Sequence, residues 1–178
     1  AHASVVSDEM QLRERVGFIH EQINSDALVE EYIEGRELYV GVLGNDRLSV
    51  LPVWEMTFGT LPDNTPAIAT RKVKWDRRYQ QKYGITTAAA ESLPEGTVAR
   101  LEKMSRRIYR ALHLTGYARM DFRLRADGAL YVLEANANPN LAAVFMPEAN
   151  SAIGAAQANK EAGGKVLIMN ADVNANIL

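Results

Sequence analysis

The sequence predicts an α+β fold in which an antiparallel sheet is flanked by helices. Segments with alternating apolar and polar residues come in pairs, and short turns rich in Gly, Asn and Asp join each pair. Two further segments have the apolar spacing of helices. Because consecutive strands form hairpins instead of alternating singly with helices, the pattern favours antiparallel pairing over a run of βαβ units. With 178 residues, 47% of them hydrophobic, the chain is long enough to bury a substantial core.

Both helices are predicted from a capping signal followed by helical spacing. Ser7 as N-cap, with Asp8 and Glu9 in the first turn, predicts a helix over about 8–23. The second helix opens at 94–97, and Gly116 is placed to end it. Its apolar face is predicted to hold Val98, Leu101, Met104, Ile108 and Leu112.

Several short segments read as strands. The segment 27–33 is rich in strand formers, and 37–43 turns through Gly44–Asp46 into 48–53 as a hairpin. Residues 57–72 are predicted to be a loop, because glycine, proline, asparagine and aspartate recur there. Near the C-terminus we expect a helix at about 151–162 and a strand at Lys165–Met169.

A second hairpin, over 117–136, sorts its side chains onto two faces. If Asp127-Gly128 is a two-residue turn, Ala126 faces Ala129, Asp121 faces Glu134 and Arg119 faces Asn136. Because side chains alternate along a strand, one face holds Arg119, Asp121, Glu134 and Asn136 together with Arg123 and Val132. The opposite face is then a core face, and it holds Met120, Phe122, Leu124, Tyr131, Leu133 and Ala135.

The facing carboxylates of Asp121 and Glu134 require neutralisation. At roughly 5 Å and an effective dielectric constant near 20, their repulsion is about 3 kcal/mol before screening. Arg119 and Arg123 could pair with them, as on many solvated hairpin faces. Alternatively, a divalent cation could lie between them with the Asn136 amide oxygen as a third ligand. An all-oxygen donor set suits Mg²⁺ or Mn²⁺ better than zinc.

Composition excludes several classes of function. A net charge of −2 provides no bulk positive field for binding nucleic acid. The absence of cysteine excludes disulfides, a thiol nucleophile and cysteine-based zinc sites, and it fits a cytoplasmic location. No apolar run approaches the length of a membrane helix, so we expect no membrane association. The chain does not begin with Met, so we expect it to be part of a longer protein.

Three motifs in a fixed order make the sequence similar to a known superfamily. LEANANP, preceded by GYARMDF and a DG turn, resembles the metal-binding end of ATP-grasp proteins. LVEEYIEGREL resembles the adenine-ribose hinge of that superfamily, and LPVWEM lies between the two. The combination, from about Ser4 to Pro147, is most similar to the C-terminal part of the D-alanine–D-alanine ligase-like branch.

The resemblance implies a role for individual residues. It implies that the hinge around the adenine is formed by Glu30, Glu31, Tyr32 and Ile33, and that Glu37 takes the ribose hydroxyls. Lys74 matches the lysine that approaches the terminal phosphate, and Lys72 competes for that role because both would share one face of an extended segment. Arg119 matches the arginine that stabilises the acyl phosphate. The implied metal ligands are Asp121, Glu134 and Asn136.

The implied activity is ATP-dependent ligation of a small-molecule carboxylate to an amine through an acyl phosphate. Two Mg²⁺ or Mn²⁺ ions would accompany the ATP. The resemblance divides the chain into the end of a central subdomain (1–33), the C-terminal subdomain (34–147) and an atypical tail (148–178), with the rest of the protein upstream. Asn140 stands where D-alanine ligases usually carry glycine, so D-alanine specificity does not carry over.

Two alternatives use the same residues. A nucleotide-binding module without catalytic activity would keep the hinge and the metal ligands, and the family's two earlier phosphate-contacting lysines have no equivalent here, since the first lysine is Lys72. A metal-dependent nuclease would need the same carboxylates and also a basic surface, which a net charge of −2 does not favour.

Overall fold

The computed structural model describes residues 5–63, 65–138, 143–146 and 167–170. These residues divide into two compact units. The first unit holds the described residues up to Glu34 together with Thr57–Thr87. The second unit holds Gly35–Met56 and the described residues from Ala88 onward. The predicted helix at 151–162 and the position of Asn140 lie outside the described residues.

Helix α1 of the first unit, Glu9–Phe18, continues as a π-helical turn over Ile19–Ile23, in agreement with the predicted span. The predicted cap is wrong by one residue. Asp8 is the N-cap, and its side chain accepts a hydrogen bond from the Gln11 backbone N–H at 2.8 Å. Ser7 precedes the cap, and its backbone N–H donates to Gln11 Oε1. Serine and aspartate both suit an N-cap. Gln11 donates from its backbone N–H to Asp8 and accepts at its side chain from the Ser7 backbone, so Asp8 takes the cap position.

The remainder of the first unit differs from the prediction in two places. The segment 27–33 forms neither helix nor strand, because strand-forming residues become a strand only when another strand supplies hydrogen bonds. Two short helices were not predicted: α2 at Arg71–Trp75, which begins within the last two residues of the predicted loop, and α3 at Arg77–Tyr83. Asp76 ends α2 and caps α3, and its carboxylate accepts from the Tyr79 backbone N–H. Helices of one or two turns leave too little periodicity for the sequence to reveal them.

The main sheet is antiparallel in each pairing of β1 and β5, which confirms the predicted fold class. The strand order is β4-β3-β1-β5-β6, and β2 also pairs with β1. The strands are β1 Arg36–Leu43, β2 Ser49–Val50, β3 Trp54–Thr57, β4 Thr86–Ala89, β5 Tyr117–Leu124 and β6 Leu130–Asn138. A separate parallel pair joins β7, Ala143–Met146, to β8, Leu167–Asn170, and β8 overlaps the strand predicted at Lys165–Met169.

Helix α4, Thr97–Ala111, covers one face of this sheet. Its buried residues recur every four positions: Thr97, Leu101, Ser105 and Tyr109. The predicted face is therefore partly wrong, since Val98 and Leu112 are exposed, while Met104 and Ile108 pack at the edge of the core. Small polar residues at 97 and 105 belong to the buried stripe, and apolarity alone does not reveal them. The helix ends at Ala111 with Leu112 as its C-cap, and Gly116, with φ 72°, lies in the turn before β5.

The hairpin of β5 and β6 keeps the predicted pairing only at its far end. Asp121 pairs with Glu134 and Arg119 with Asn136 as predicted. The register then shifts by one, so that Phe122 pairs with Val132 and Arg123 with Tyr131. Tyr131 therefore lies on the same face as Arg123, Val132 lies on the core-facing side, and Leu133 is the extra residue of a β-bulge. This corrects the predicted faces of Tyr131, Val132 and Leu133.

The turn explains this shift. Arg125 N–H donates to the Ala129 carbonyl at 2.9 Å, and Gly128 N–H donates to the Arg125 carbonyl at 3.0 Å. Three residues, 126–128, therefore make the turn instead of the predicted two, and Gly128 takes the left-handed φ of 82° that this turn requires. The bulge at Leu133 compensates for the extra turn residue and restores the pairing of the charged residues.

No helix in the described part of the chain is long and apolar enough to cross a bilayer.

The buried hydroxyl of Tyr109 connects α4 to the loops at one end of the sheet. Its single O–H is shared between the carbonyl oxygens of Gly44, at 2.7 Å, and Gly116, at 3.1 Å. We expect Tyr109→Phe to lower the free energy of unfolding by about 2 kcal/mol, because the buried Gly44 carbonyl loses this donor. Urea denaturation measures this, with Tyr32→Phe as control because Tyr32 is exposed. Equal stability of the two variants would contradict this role of the hydroxyl.

Candidate functional site

One face of three adjacent strands carries a continuous group of polar side chains, which we name the polar face. Pairing of β1 with β5 places Glu37 opposite Arg123 and Tyr39 opposite Asp121. Pairing of β5 with β6 continues the group to the next strand. The polar face is formed by Glu37, Tyr39, Arg119, Asp121, Arg123, Glu134 and Asn136. The structure thus brings together Glu37, Arg119 and all three predicted metal ligands.

Glu37 lies at the buried end of the polar face, with 4% of its surface exposed. Its Oε2 accepts from Arg123 Nη2 at 2.9 Å, and its Oε1 accepts from the Tyr39 hydroxyl at 2.7 Å. Arg123 also donates to the Gly35 carbonyl at 2.8 Å. A buried carboxylate needs such compensation, because desolvation of an unpaired charge costs several kcal/mol. The carboxylate is therefore held in one orientation, and each oxygen retains capacity for a second donor.

Asp121 lies at the centre of the polar face and forms a bidentate ion pair with Arg119. Arg119 Nε donates to Oδ1 and Nη2 donates to Oδ2, both at 2.7 Å. The guanidinium of Arg119 also lies 4.8 Å from the centre of the Tyr39 ring. Part of the first alternative predicted from the sequence is therefore present, since Arg119 neutralises Asp121. Arg123, the other arginine of that alternative, forms a buried ion pair with Glu37 of β1.

Glu134 and Asn136 form the exposed end of the polar face, and Asn136 Nδ2 donates to Glu134 Oε1 at 2.8 Å. Burial raises the pKa of the Asp121 carboxyl above its usual value. The hydrogen bonds and charge of Arg119 oppose this rise, and the nearby charge of Glu134 adds to it. The two carboxylates are thus close enough to repel each other, as predicted from their pairing.

The residues present fit a hard divalent cation that is bound together with a phosphate ligand. Among the described residues, no three His, Asp or Glu side chains converge on one point. The donor set is instead two carboxylates, Asp121 and Glu134, with the amide oxygen of Asn136. Mg²⁺ is commonly held by one or two carboxylates, with phosphate oxygens and water completing its shell. A cation here would also offset the excess of negative charge, since three carboxylates and two guanidiniums share the polar face within β1, β5 and β6.

The hinge residues belong to the first unit. Glu30 and Glu31 are exposed, Tyr32 is 42% exposed and Ile33 is half-buried. Glu30, Glu31 and Tyr32 line a cavity of about 380 Å³, whose other walls include apolar side chains of α1. Acidic and aromatic groups therefore face an apolar concavity within this unit, and their role at the adenine stays a prediction.

Lys72 and Lys74 lie in helix α2, so the predicted extended segment is wrong here. Residues two apart on a helix point in different directions, and the two lysines therefore do not share a face. Lys72 Nζ lies 4.6 Å from the centre of the Tyr79 ring. Val73 between them is buried, which fixes the orientation of the helix. The structure thus separates two residues that the sequence left equivalent.

Tyr39 is the member of the polar face that sequence reasoning missed. A signal was present, because Glu37, Tyr39 and Gly41 alternate with Leu38, Val40 and Val42. Strict alternation predicts that residues 37, 39 and 41 share the face opposite to the core. Only the register with β5 shows that Tyr39 lies beside Asp121.

Comparison with known proteins identifies the class of domain. The family model described as the D-ala D-ala ligase C-terminus matches residues 3–158. The chain therefore belongs to this family, which confirms the resemblance to the ATP-grasp D-alanine–D-alanine ligase-like branch.

The individual relatives are longer than this chain. It is 34% identical over 125 residues to D-alanine–D-alanine ligase A of Mesorhizobium japonicum, covering 69% of this chain and 33% of that protein. It is 33% identical over 137 residues to the uncharacterized protein y4sG of Sinorhizobium fredii, covering 77% of this chain and 39% of that one. The chain thus spans well under half the length of these curated relatives.

Solved structures agree at the level of the fold. D-alanyl-alanine synthetase A from Vibrio cholerae superposes with a TM-score of 0.57 at 22% identity, covering 74% of this chain and 37% of that one. The D-alanine–D-alanine ligase from Bacillus anthracis, solved in complex with ATP, gives a TM-score of 0.52 at 23% identity, covering 74% and 36%. At these identities the likeness supports the architecture.

The buried ion pair of Arg123 and Glu37 gives a prediction about stability. We expect Arg123→Met to lower the free energy of unfolding by about 3 kcal/mol, because Glu37 stays buried without its cation. The double variant Arg123→Met/Glu37→Gln should recover most of this loss, since the glutamine is neutral and still accepts from Tyr39. Urea denaturation of both variants measures the difference. A double variant as unstable as the single one would show that the charge of Glu37 is not the cause.

Proposed function

We propose that this chain forms the metal- and nucleotide-binding part of an ATP-dependent carboxylate–amine ligase. Such an enzyme activates a carboxylate as an acyl phosphate, which an amine then attacks. The observation that carries the proposal is the pairing of Asp121 with Glu134 and of Arg119 with Asn136 on one face of the sheet. Family membership supports this interpretation over a solvated hairpin face.

Asp121, Glu134 and Asn136 are the proposed ligands for Mg²⁺ or Mn²⁺. The metal would supply charge neutralisation for the phosphates during phosphoryl transfer. The chain's own contribution is to hold two carboxylates close together despite their repulsion, in a sheet whose core is rigidly packed. That arrangement favours a cation before any nucleotide binds, because a cation relieves the repulsion between Asp121 and Glu134.

Arg119 is the proposed stabiliser of negative charge on the reacting acyl group. Its guanidinium presents several donors in a fixed plane, which suits phosphate and carboxylate oxygens. With Asp121 engaged by a cation, Arg119 would turn its donors from that carboxylate toward an anionic substrate. The side chain is 38% exposed, so a ligand on this face can reach it.

Several residues are proposed to hold the nucleotide. Glu37 is the proposed acceptor for the ribose hydroxyls, and two donors hold its carboxylate in one orientation. Glu30, Glu31, Tyr32 and Ile33 are proposed to surround the adenine. Lys74 is the proposed phosphate lysine, and the packing of Lys72 on Tyr79 favours Lys74 over Lys72. The small carboxylate and amine substrates are proposed to be of amino-acid type, as in the named relatives.

Glu134→Gln separates the metal site from the fold. We expect the variant to be at least as stable as the parent without metal, because the repulsion of Asp121 is removed while Asn136 keeps an acceptor. Mg²⁺ and Mg-ATP should stabilise the parent, and this stabilisation should be lost in the variant. Thermal unfolding with and without Mg²⁺ and ATP measures both effects.

Glu102→Gln is the matched control, because it removes an exposed carboxylate on α4 away from the polar face. It should leave the response to Mg-ATP unchanged. If Glu134→Gln behaves like this control, Asp121 and Glu134 are carboxylates of an ordinary charged sheet face and the proposed metal site is wrong.

Phosphate release from Mg-ATP, with and without a panel of amino acids and dipeptides, tests the ligase assignment. For the 178 residues alone we expect nucleotide binding without amino-acid-dependent turnover. Phosphoryl transfer requires donor, metal and acceptor in line, and the chain supplies no lysine before Lys72 to hold the phosphates. Amino-acid-dependent turnover by these residues alone would contradict this expectation, whereas absence of ATP binding would contradict the proposed function itself.

A further inference from the structure

Tyr39 contacts Glu37 through its hydroxyl and Arg119 through its ring, and we infer that it is a positioning residue that holds Glu37 for the ribose and Arg119 for the reacting acyl group. The inference rests on the function proposed above, which gives those two residues their roles. Tyr39 lies opposite Asp121, and Glu37 engages its hydroxyl while Arg119 engages its ring, so we assign it an action through these neighbours.

The hydroxyl of Tyr39 holds the carboxylate of Glu37 in place. It lies 2.7 Å from Glu37 Oε1, and its next polar neighbour is the sulfur of Met56 at 3.7 Å. Burial, followed by the hydrogen bond and charge of Glu37, raises the pKa of Tyr39, so the phenol keeps its proton and remains a donor. A hydrogen bond to a charged acceptor is stronger than one between neutral groups. Glu37 is therefore oriented by Tyr39 on one oxygen and by Arg123 on the other.

The ring of Tyr39 supports Arg119. Arg119 lies opposite Gly41 on β1, where no side chain is available to contact it. A Cβ at Gly41 would come within 2.9 Å of Leu51 Cδ1 and 3.2 Å of the Tyr117 ring, so this space is already occupied by those side chains. The guanidinium instead lies across the ring of Tyr39, the diagonal neighbour on β1.

The contact between the Tyr39 ring and Arg119 matters most in the state in which Asp121 binds a cation. Arg119 then loses a bidentate partner that fixes it from one side, while the ring of Tyr39 continues to support the guanidinium. A ring holds a cation without using its N–H donors, and those donors stay available for an anion. Tyr39 would thus keep Arg119 near the reacting group in both situations.

The hydroxyl is tested by Tyr39→Phe, which keeps the ring and removes only the donor to Glu37. The probes are Mg-ATP and Mg-2′,3′-dideoxy-ATP, which lacks the hydroxyls assigned to Glu37. We expect the parent to prefer ATP, and Tyr39→Phe to reduce this preference about tenfold without changing the affinity for the dideoxy nucleotide. Titration calorimetry measures both affinities. Tyr131→Phe, a tyrosine on the same face, is the control and should keep the parent's preference.

The ring is tested without any nucleotide. The Nε–H resonance of Arg119, assigned by its disappearance in Arg119→Lys, should be shifted upfield by the ring current of Tyr39. The shift should persist in Tyr39→Phe and vanish in Tyr39→Leu. An Nε–H resonance at its ordinary position in the parent would overturn the contact with Arg119, whether or not Tyr39→Leu folds.

The outcomes separate the inference from the proposed function. If the parent binds ATP and the dideoxy nucleotide equally, Glu37 does not contact the ribose, and the proposed role of Glu37 and this inference both fall. If the parent prefers ATP and Tyr39→Phe retains that preference, the function stands and the inference is wrong. An equal loss of affinity for both nucleotides would show a merely structural role for Tyr39 and would also overturn the inference.

Discussion

Strand β5 pairs with β1 on one side and β6 on the other, and the site depends on the register of both pairings. Alternate residues of β5 are apolar and enter the core as Ala118, Met120, Phe122 and Leu124. Because the core fixes this set, Arg119, Asp121 and Arg123 must lie on the opposite face. A slip by one residue would bury three charges and expose the core. The packing of the core therefore holds these charged residues on one face of the sheet.

Two carboxylates of the polar face are each neutralised by an arginine. Glu37 is neutralised by Arg123 in a buried pair, whereas Asp121 is neutralised by Arg119 in a pair that is open on one side. The two ion pairs differ in how readily they break. A buried pair is costly to break, whereas a partly exposed pair can exchange partners. The arrangement thus provides a fixed carboxylate at one end and an exchangeable one near Glu134. In the proposed function, the fixed carboxylate takes the ribose and the exchangeable one takes the metal.

Much of this was predictable from the sequence, and the errors have identifiable causes. Alternation within 117–136 correctly placed Asp121 opposite Glu134, because both strands have one strongly apolar face. The turn was wrong by one residue, and a bulge at Leu133 corrected the pairing, which neither composition nor alternation could reveal. Short helices such as α2 carry too few residues for a periodic signal, so Lys72 and Lys74 were wrongly given one face. The hydrogen bond from Tyr39 to Glu37 could not be predicted from the sequence, because it depends on the three-dimensional positions of the two side chains.

The central claim is that the exposed end of the polar face binds a divalent cation. Paramagnetic broadening by Mn²⁺ in a two-dimensional amide spectrum tests it directly, because the broadening falls steeply with distance from the bound ion. Broadening should be strongest at the amides around Asp121, Glu134 and Asn136, and it should be reversed by excess Mg²⁺. The turn at Asp127-Gly128, which also carries an exposed carboxylate, provides an internal reference. Broadening centred on that turn or on the acidic residues of α1, with none at Asp121 and Glu134, would contradict the claim.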